Sequence, residues 1–417
     1  MTNSKVVDGE EGGNAGSGKL GNNFNKLFFA AIFSCLADGI SIVTFPLLAL
    51  KFGASEVEMG LIAAFRTLPW LLFSLPVGAL VDRWNLKAIM AVANLIRTIL
   101  CLLLIALLML NLINVHVLMV VAGVVGLLEV FFDTANQTFV PRIVQKEKLT
   151  SANSRQQSAE LLMNKLIGAP VGGFLAIYSF PLTFVVLAIC FLIPSVLVSL
   201  ISHSGHMQAS GAPVVRDSIF KSVLEGMRYV LQHKILRVLA FNTGFVNMSL
   251  QAVNAVFVLF VTQQIKAPEW AFGFLTSSAA IGGLLGASLI GRAKNRFGIA
   301  TCLHAVMILL PISILITPLF MSIWMVAFAQ FLLGINLSSW AILAISYRQT
   351  VVPPHLMGRA NAFYRLMAWG SLPIGSLLGG VVAGHFGFTT MYFIFGGAML
   401  LPILLIPAIS QKRMDEA

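Results

Sequence analysis

Gly78-Ala-Leu-Val-Asp82-Arg83-Trp-Asn85 and, 213 residues later, Gly291-Arg-Ala-Lys-Asn295-Arg296-Phe-Gly298 are two copies of one pattern. Each ends one long apolar run and opens the next. Three further matches keep the same order and nearly the same offset. Pro141 is matched by Pro353, Ala152-Asn153 by Ala360-Asn361, and Gly172-Gly173 by Gly379-Gly380, at offsets of 212, 208 and 207. Chance supplies one such match; four in chain order point to a duplicated unit. The longest polar gap, from His203 to about Lys234, falls between the copies.

Outward from these repeats, apolar runs fill the chain from Leu27 to Ile409. Hydrophobic residues make up 58% of the 417 positions and charged residues only 10%, against the roughly 25% that a soluble domain carries on its wetted surface. Each run is long enough to cross about 30 Å of hydrocarbon as a helix, and none shows the short alternation of a membrane strand. The expected architecture is all-α and integral to the lipid bilayer, with twelve transmembrane helices in two six-helix pseudo-repeats. The spans are expected near 25–50, 57–81, 88–110, 115–140, 155–178, 181–202, 236–264, 270–291, 299–318, 322–347, 359–384 and 388–409. The parts are then a disordered tail (1–24), an N-terminal half (25–202), an inter-half linker (203–235), a C-terminal half (236–409) and a short tail (410–417).

The net charge of +11 is distributed by side. With the N-terminus inside, the cytoplasmic segments hold 22 Lys and Arg, and the opposite side holds only Lys51 and Lys266. That asymmetry is the positive-inside signal; it predicts both termini in the cytoplasm and explains the basic balance without nucleic acid. The four cysteines all fall inside spans and are expected as buried free thiols. The first apolar run follows a 24-residue polar tail and is too long for a signal peptide. In that tail, Gly13 to Gly18-Lys19 matches a phosphate-binding loop until Leu20 replaces the hydroxyl residue that would hold Mg²⁺, and no strand precedes it. No use of ATP is expected, and no cofactor or metal.

Gly78-Ala-Leu80-Val-Asp82-Arg83-Trp-Asn-Leu-Lys87 resembles the loop signature of the major facilitator superfamily. Leu36-Ala-Asp38-Gly39, Phe132-Asp133-Thr-Ala135-Asn136 and Gly358-Arg359-Ala-Asn361 ahead of Pro373-Ile-Gly375 resemble its macrolide-efflux and enterobactin-exporter branch. Two departures stand out. Asn85 replaces a glycine of the loop signature, and span 5 reads Gly168-Ala-Pro170-Val-Gly172-Gly173, whereas drug antiporters usually place the proline directly after the first glycine. The resemblance implies a central cavity lined by spans 1, 4, 7 and 10. It also implies that Gly78, Asp82, Arg83 and Lys87 form a gating loop that holds the two halves together in one state. Asp82 is then expected to accept hydrogen bonds at the start of span 11, near Gly358, where helix amides favour an anion. Gly168 and Gly172, like Ser371, Gly375 and Gly379, are spaced four apart, which leaves one helix face bare for close approach. Packing alone and a sliding contact both fit that device.

Charges inside a bilayer cost roughly 2.5–3.5 kcal/mol each on insertion scales. Asp38 lies about 20 Å along span 1 at roughly 1.5 Å per residue, and Glu129 lies at comparable depth in span 4. Asp133 is one turn from Glu129, and Arg66 and Arg97 sit deep in spans 2 and 3. Structural ion pairs are one reading, with Asp133 expected opposite Arg97. Proton coupling is the other, because an apolar cavity disfavours the ionised carboxyl and an arginine restores it. In the second half no span carries an acid. Asn247, Gln251 and Asn254 form one helix stripe in span 7, with Asn336 and Trp340 in span 10, and line a substrate cavity on this reading; polar residues that merely join helices are the alternative.

The expected function is secondary active transport: proton-coupled efflux of an amphiphilic small molecule across the plasma membrane by alternating access, by a monomer. A lipid or lysolipid transporter is the alternative within transport, and a membrane receptor or enzyme the alternative outside it.

Overall fold

The computed structural model describes residues 21–81, 84–145, 148–201, 219–320 and 322–401. The phosphate-loop match, Asp82, Arg83, the first part of the linker and the C-terminal tail lie outside the described residues.

Among the described residues all regular structure is helical. The first half comprises α1 (Asn22–Lys51), α2 (Glu56–Val81), α3 (Leu86–Met109), α4 (Val115–Ile143), α5 (Leu149–Glu160), a π-helical stretch (Leu161–Gly168), α6 (Ala169–Tyr178) and α7 (Phe180–Ser199). The second comprises α8 (Ile219–Gln232), α9 (Lys234–Leu259), α10 (Trp270–Phe297), α11 (Ile299–Leu315), α12 (Ile323–Val351) and α13 (Pro354–Ala398). Eleven helices among the described residues are long and apolar enough to cross a membrane. Their starts are written in short polar side chains. Asn85, Asn114 and Ser179 accept hydrogen bonds from the first amides of α3, α4 and α7.

The last spanning element runs from Arg359 to Ala398. At 1.5 Å per residue a straight helix of that length would be about twice the hydrocarbon thickness. Gly387 breaks it, at φ 79 and ψ 166, a conformation that a side chain disfavours. Gly387 thus divides this element where the expected eleventh and twelfth spans meet, and residues 402–409 of the expected twelfth lie outside the described residues.

Two features differ from expectation. The linker contains α8, whose apolar positions 219, 220, 223, 224, 227, 230 and 231 recur at helical spacing. Gly226 of α8 packs on the backbone of Arg359, and Glu225 pairs with the Arg359 guanidinium. The second is the π-helical stretch before α6. Pro170 has no amide to donate to the preceding turn, and that turn is π-helical, a distortion that marks many functional sites.

The halves pack alike. In the first, α2 lies against α4 and α1 against α6 and α7; in the second, α10 lies against α12 and α9 against α13. The bare glycine faces make this possible. A Cβ at Gly172 would fall 2.6 Å from the Ile40 carbonyl of α1, and one at Gly379 would fall 2.2 Å from the Ala252 carbonyl of α9. Between the halves, α2 meets α13 and α6 meets α10. Gly60 faces Gly380, and Gly173 faces Gly273. All four glycines lie near the helix ends remote from the basic loops, so the halves close at that end. Near the basic end, a Cβ at Gly78 or at Gly291 would meet nothing within 4 Å among the described residues.

Candidate functional site

The deep charges of the first half converge midway along α1 to α4. Arg97 of α3 is fully buried, and its Nη1 lies 3.7 Å from Asp38 Oδ1 of α1, which is 6% exposed. Its guanidinium also sits over the Phe191 ring of α7 at 5.1 Å, within cation–π range, and donates to Ser34 Oγ at 3.4 Å. Arg66 of α2 pairs with Glu129 of α4 at 3.3 Å and donates to Ser41 Oγ at the same distance. The expected pairing of Arg97 with Asp133 is therefore corrected: Arg97 pairs with Asp38. Asp133 lies one turn from Glu129 toward the basic end of α4, half-buried, with no hydrogen-bond or ion-pair partner among the described residues.

Ser34, Asp38 and Ser41 recur at four and three residues on α1, so the serines that brace both arginines share the carboxylate's helix stripe. That signal was readable in the sequence and went unused. Glu160, at the end of α5, also went unweighed; it lies within electrostatic range of Glu129 and Lys165, and Asp38 and Asp133 lie within range of it. Four carboxylates thus share one region with two arginines and a lysine. Asn94 is fully buried one turn from Arg97, and neither polar atom of its amide has a protein partner. Arg97 Nε and Nη2 are likewise unpartnered. Buried groups of this kind are normally satisfied, so the region holds more hydrogen-bonding capacity than this state uses. Chemically, the arrangement can hold carboxylates ionised while the arginines are near.

The second half is built differently. Asn247 and Gln251 are half-buried on α9 and Asn254 is exposed. Asn336 and Trp340 do not join that stripe. Asn336 is buried and donates to Ser313 Oγ of α11 at 3.3 Å and to the Leu332 carbonyl at 2.9 Å, tying α12 to α11. Trp340 is 4% exposed and lines a small hollow shared with Met307 and Leu310 of α11 and Asn242 and Val246 of α9. The helix-joining reading thus describes these two.

At the basic end, Asn85 accepts from the amides of Lys87 and Ala88 at 3.1 and 3.4 Å. The residue that departs from the loop signature is therefore the N-cap of α3. In the second copy, Gly298 takes φ 81 between α10 and α11, where asparagine would be strained. The Lys87 ammonium donates to the Ile201 carbonyl, and Lys26 donates to Leu200 at 2.6 Å. Both cations satisfy carbonyls at the end of α7, as the helix dipole favours. Cys101, Cys190 and Cys302 are buried and Cys35 is half-buried; all four are free thiols.

The chain matches over residues 20–417 the family described as transmembrane secretion effector, of the major facilitator type. It is 27% identical over 404 residues to the multidrug efflux pump Tap of Mycolicibacterium fortuitum, covering 92% of this chain and 94% of the pump. It is 25% identical over 413 residues to the staphyloferrin A transporter of Staphylococcus aureus, covering 94% and 98%. Its fold superposes on a mutant of the nucleoside transporter NupG with a TM-score of 0.74 at 14% identity, covering 93% and 100%. It superposes on a bacterial homologue of the iron transporter ferroportin in an inward-facing state with a TM-score of 0.71, also at 14% identity, covering 93% and 98%. The chain belongs to the transmembrane secretion effector family of major facilitator transporters, and is a multi-pass membrane transporter rather than an enzyme.

Proposed function

We propose that this transporter exports an amphiphilic small molecule across the plasma membrane in exchange for protons, as a monomer with both termini in the cytoplasm. The observation that carries this reading is the mid-membrane cluster of Asp38–Arg97 and Glu129–Arg66, with Asp133 unpaired beside it. A charge pair at that depth must offset a large desolvation cost, and a pair that exchanges partners during rocking offers a route for a proton. Export is supported by similarity to an efflux pump and to a siderophore transporter. An amphiphilic substrate is supported by the contrast between a charged first half and a second half whose cavity-facing candidates are amides.

In the cycle, the state seen here has the halves joined at Gly60–Gly380 and Gly173–Gly273, remote from the basic loops. With those loops in the cytoplasm, this is the inward-open state, ready to load substrate. Gly78 and Gly291 then find their close contacts in the opposite state, when the basic ends meet. Asp82 and Arg83 supply the latch there, as the loop signature implies.

The test is gradient-driven transport in proteoliposomes. Asp38→Asn and Glu129→Gln should abolish accumulation against a concentration difference while downhill exchange persists, since a neutral amide mimics the protonated acid. A folded double variant that still concentrates substrate under a pH gradient alone would overturn the mechanism. A lipid or lysolipid as the transported substrate predicts instead that fluorescent lipid, and no dye or drug, is moved.

A further inference from the structure

Between the halves, toward the basic end, lies an apolar crevice of about 370 Å³, a volume within the roughly 300–1,000 Å³ of small-molecule sites. Its walls include Leu71 of α2, Phe241, Gly244 and Met248 of α9, and Leu366 and Gly370 of α13. Two glycines hollow it. A Cβ at Gly244 would meet nothing closer than 3.5 Å, and one at Gly370 would reach only the methyl ends of Leu71 and Leu366, at 3.0 and 3.8 Å. Trp70 and Trp369, each adjacent in sequence to a wall residue, stack across the halves with centroids 4.1 Å apart.

The crevice is not the polar face of α9. The stripe of Asn247, Gln251 and Asn254 is turned from the wall residues by about 100°, one residue step around a helix. A polar substrate finds a single side-chain hydroxyl, that of Ser371, on these walls; an alkyl chain finds apolar contact on every other side. The charge at its rim has one sign. Arg237 is exposed and precedes Phe241, Gly244 and Met248 by four, seven and eleven residues, so it shares their helix stripe. It lies about 10 Å from Gly244 toward the basic end. An anion is welcome at this rim and repelled by the four carboxylates of the first half.

We propose that this crevice binds the acyl chain of an anionic phospholipid from the leaflet on the basic side, with its phosphate held by Arg237. The site is independent of the transport reading: it stands on the crevice and its rim, whichever substrate the acid cluster serves. A lipid seated there wedges between α2, α9 and α13 and stabilises the state in which the basic ends stand apart.

The test uses the full chain, purified and placed in nanodiscs of phosphatidylcholine with a minor fraction of phosphatidylglycerol. Native mass spectrometry should find phosphatidylglycerol retained several-fold above its share of the bilayer. Phosphatidylglycerol with brominated chains should quench a tryptophan emission component that disappears in the Trp70→Phe/Trp369→Phe variant. Gly244→Leu should remove both signals; where it lowers folded yield, Gly370→Met fills the crevice from α13 instead. Arg237→Gln should keep chain quenching and lose the preference for phosphatidylglycerol. Equal retention of both lipids by the intact protein would overturn the proposal, as would full retention in the filled variant. Displacement of the lipid by a cationic transported drug would reassign the crevice to substrate and overturn it too.

Discussion

Replacing Arg97 by glutamine isolates the energetics of the deep pair. The guanidinium is fully buried and lies 3.7 Å from an Asp38 carboxylate that is 6% exposed. At that separation the gross attraction is roughly 4 kcal/mol at an effective dielectric near 20, and desolvation of both ions cancels much of it. The net value of the pair is therefore small, while the cost of breaking it is large. Removing one partner of a buried pair costs about 3–5 kcal/mol, because the other charge is left stranded. Arg97→Gln should thus lower the thermal midpoint in detergent sharply, and Asp38→Asn should do the same by stranding Arg97. The double variant, Asp38→Asn with Arg97→Gln, should be no less stable than either single variant, which with about 3–5 kcal/mol per single requires a coupling energy of at least about 3 kcal/mol, at the top of the range for residues in direct contact. Midpoints from fluorescence-detected size exclusion over a temperature series would close the cycle. Additive losses in the double variant would mean that the two side chains do not hold each other, and the structural half of the argument would fail.

Other perturbations probe separate links. Leu112→Cys and Trp84→Cys are exposed positions at opposite ends of the bundle; an impermeant thiol reagent should label the first in intact cells and spare the second, and the reverse pattern would invert the orientation. Gly379→Leu would drive its side chain into the Ala252 carbonyl, 2.2 Å from the Cβ position, so folded yield should collapse, whereas Gly78→Ala should leave the midpoint unchanged and slow transport. Equal effects on yield would remove the two-state reading of Gly78. Burial lowers the His233 pKa below its ordinary value of 6.5. The folded state therefore binds this proton less readily than the unfolded chain, and stability present above about pH 6.5 falls away as pH drops through the lowered value. His233→Asn keeps a cap for α9 and should flatten that acid-side loss in hydrogen exchange at the α8–α9 junction; an unchanged profile would assign the loss elsewhere.

The spans were legible because bilayer thickness sets their length and composition, and the structure departs by a few residues at most ends, as with Val115–Ile143 against 115–140. The duplicated glycines were legible too, since small residues four apart mark close helix contact wherever they occur. Side-chain pairing was not. Asp133 and Asp38 are both acidic and both deep, and which one meets Arg97 depends on the rotation of α1 and α4, which periodicity leaves free. The partner of Asn336 was hidden for the same reason: the apolar wall of α12 runs nearly all round the helix, so nothing in the sequence said that its amide faces Ser313. The helix α8 was harder to see because, at fourteen residues, it is too short to span a bilayer and follows a long polar stretch.

These placements suit the rocking proposed above, because they let the halves part without breaking either one. The ion pairs Asp38–Arg97 and Glu129–Arg66 lie inside the first half, and Glu225–Arg359 ties α8 to the second. Each stiffens one body and none crosses between bodies. The crossing contacts are of another kind: glycine against glycine at Gly60–Gly380 and Gly173–Gly273, one stack of Trp70 on Trp369, and the Ser277 hydroxyl donating to the Lys165 carbonyl. Small-residue contacts hold by close van der Waals approach and strand no charge when they part, so separating them costs far less than breaking a buried pair. The division of labour follows from chemistry: expensive interactions sit where the structure must not move, and inexpensive ones where it must. The acid cluster sits at the edge of this division. Its arginines lock the first half, yet its spare carboxylate, Asp133, and the unpartnered amide of Asn94 leave it capacity that the locked state does not use. A structural lock alone has no need of that surplus, and the proposed proton exchange would use it.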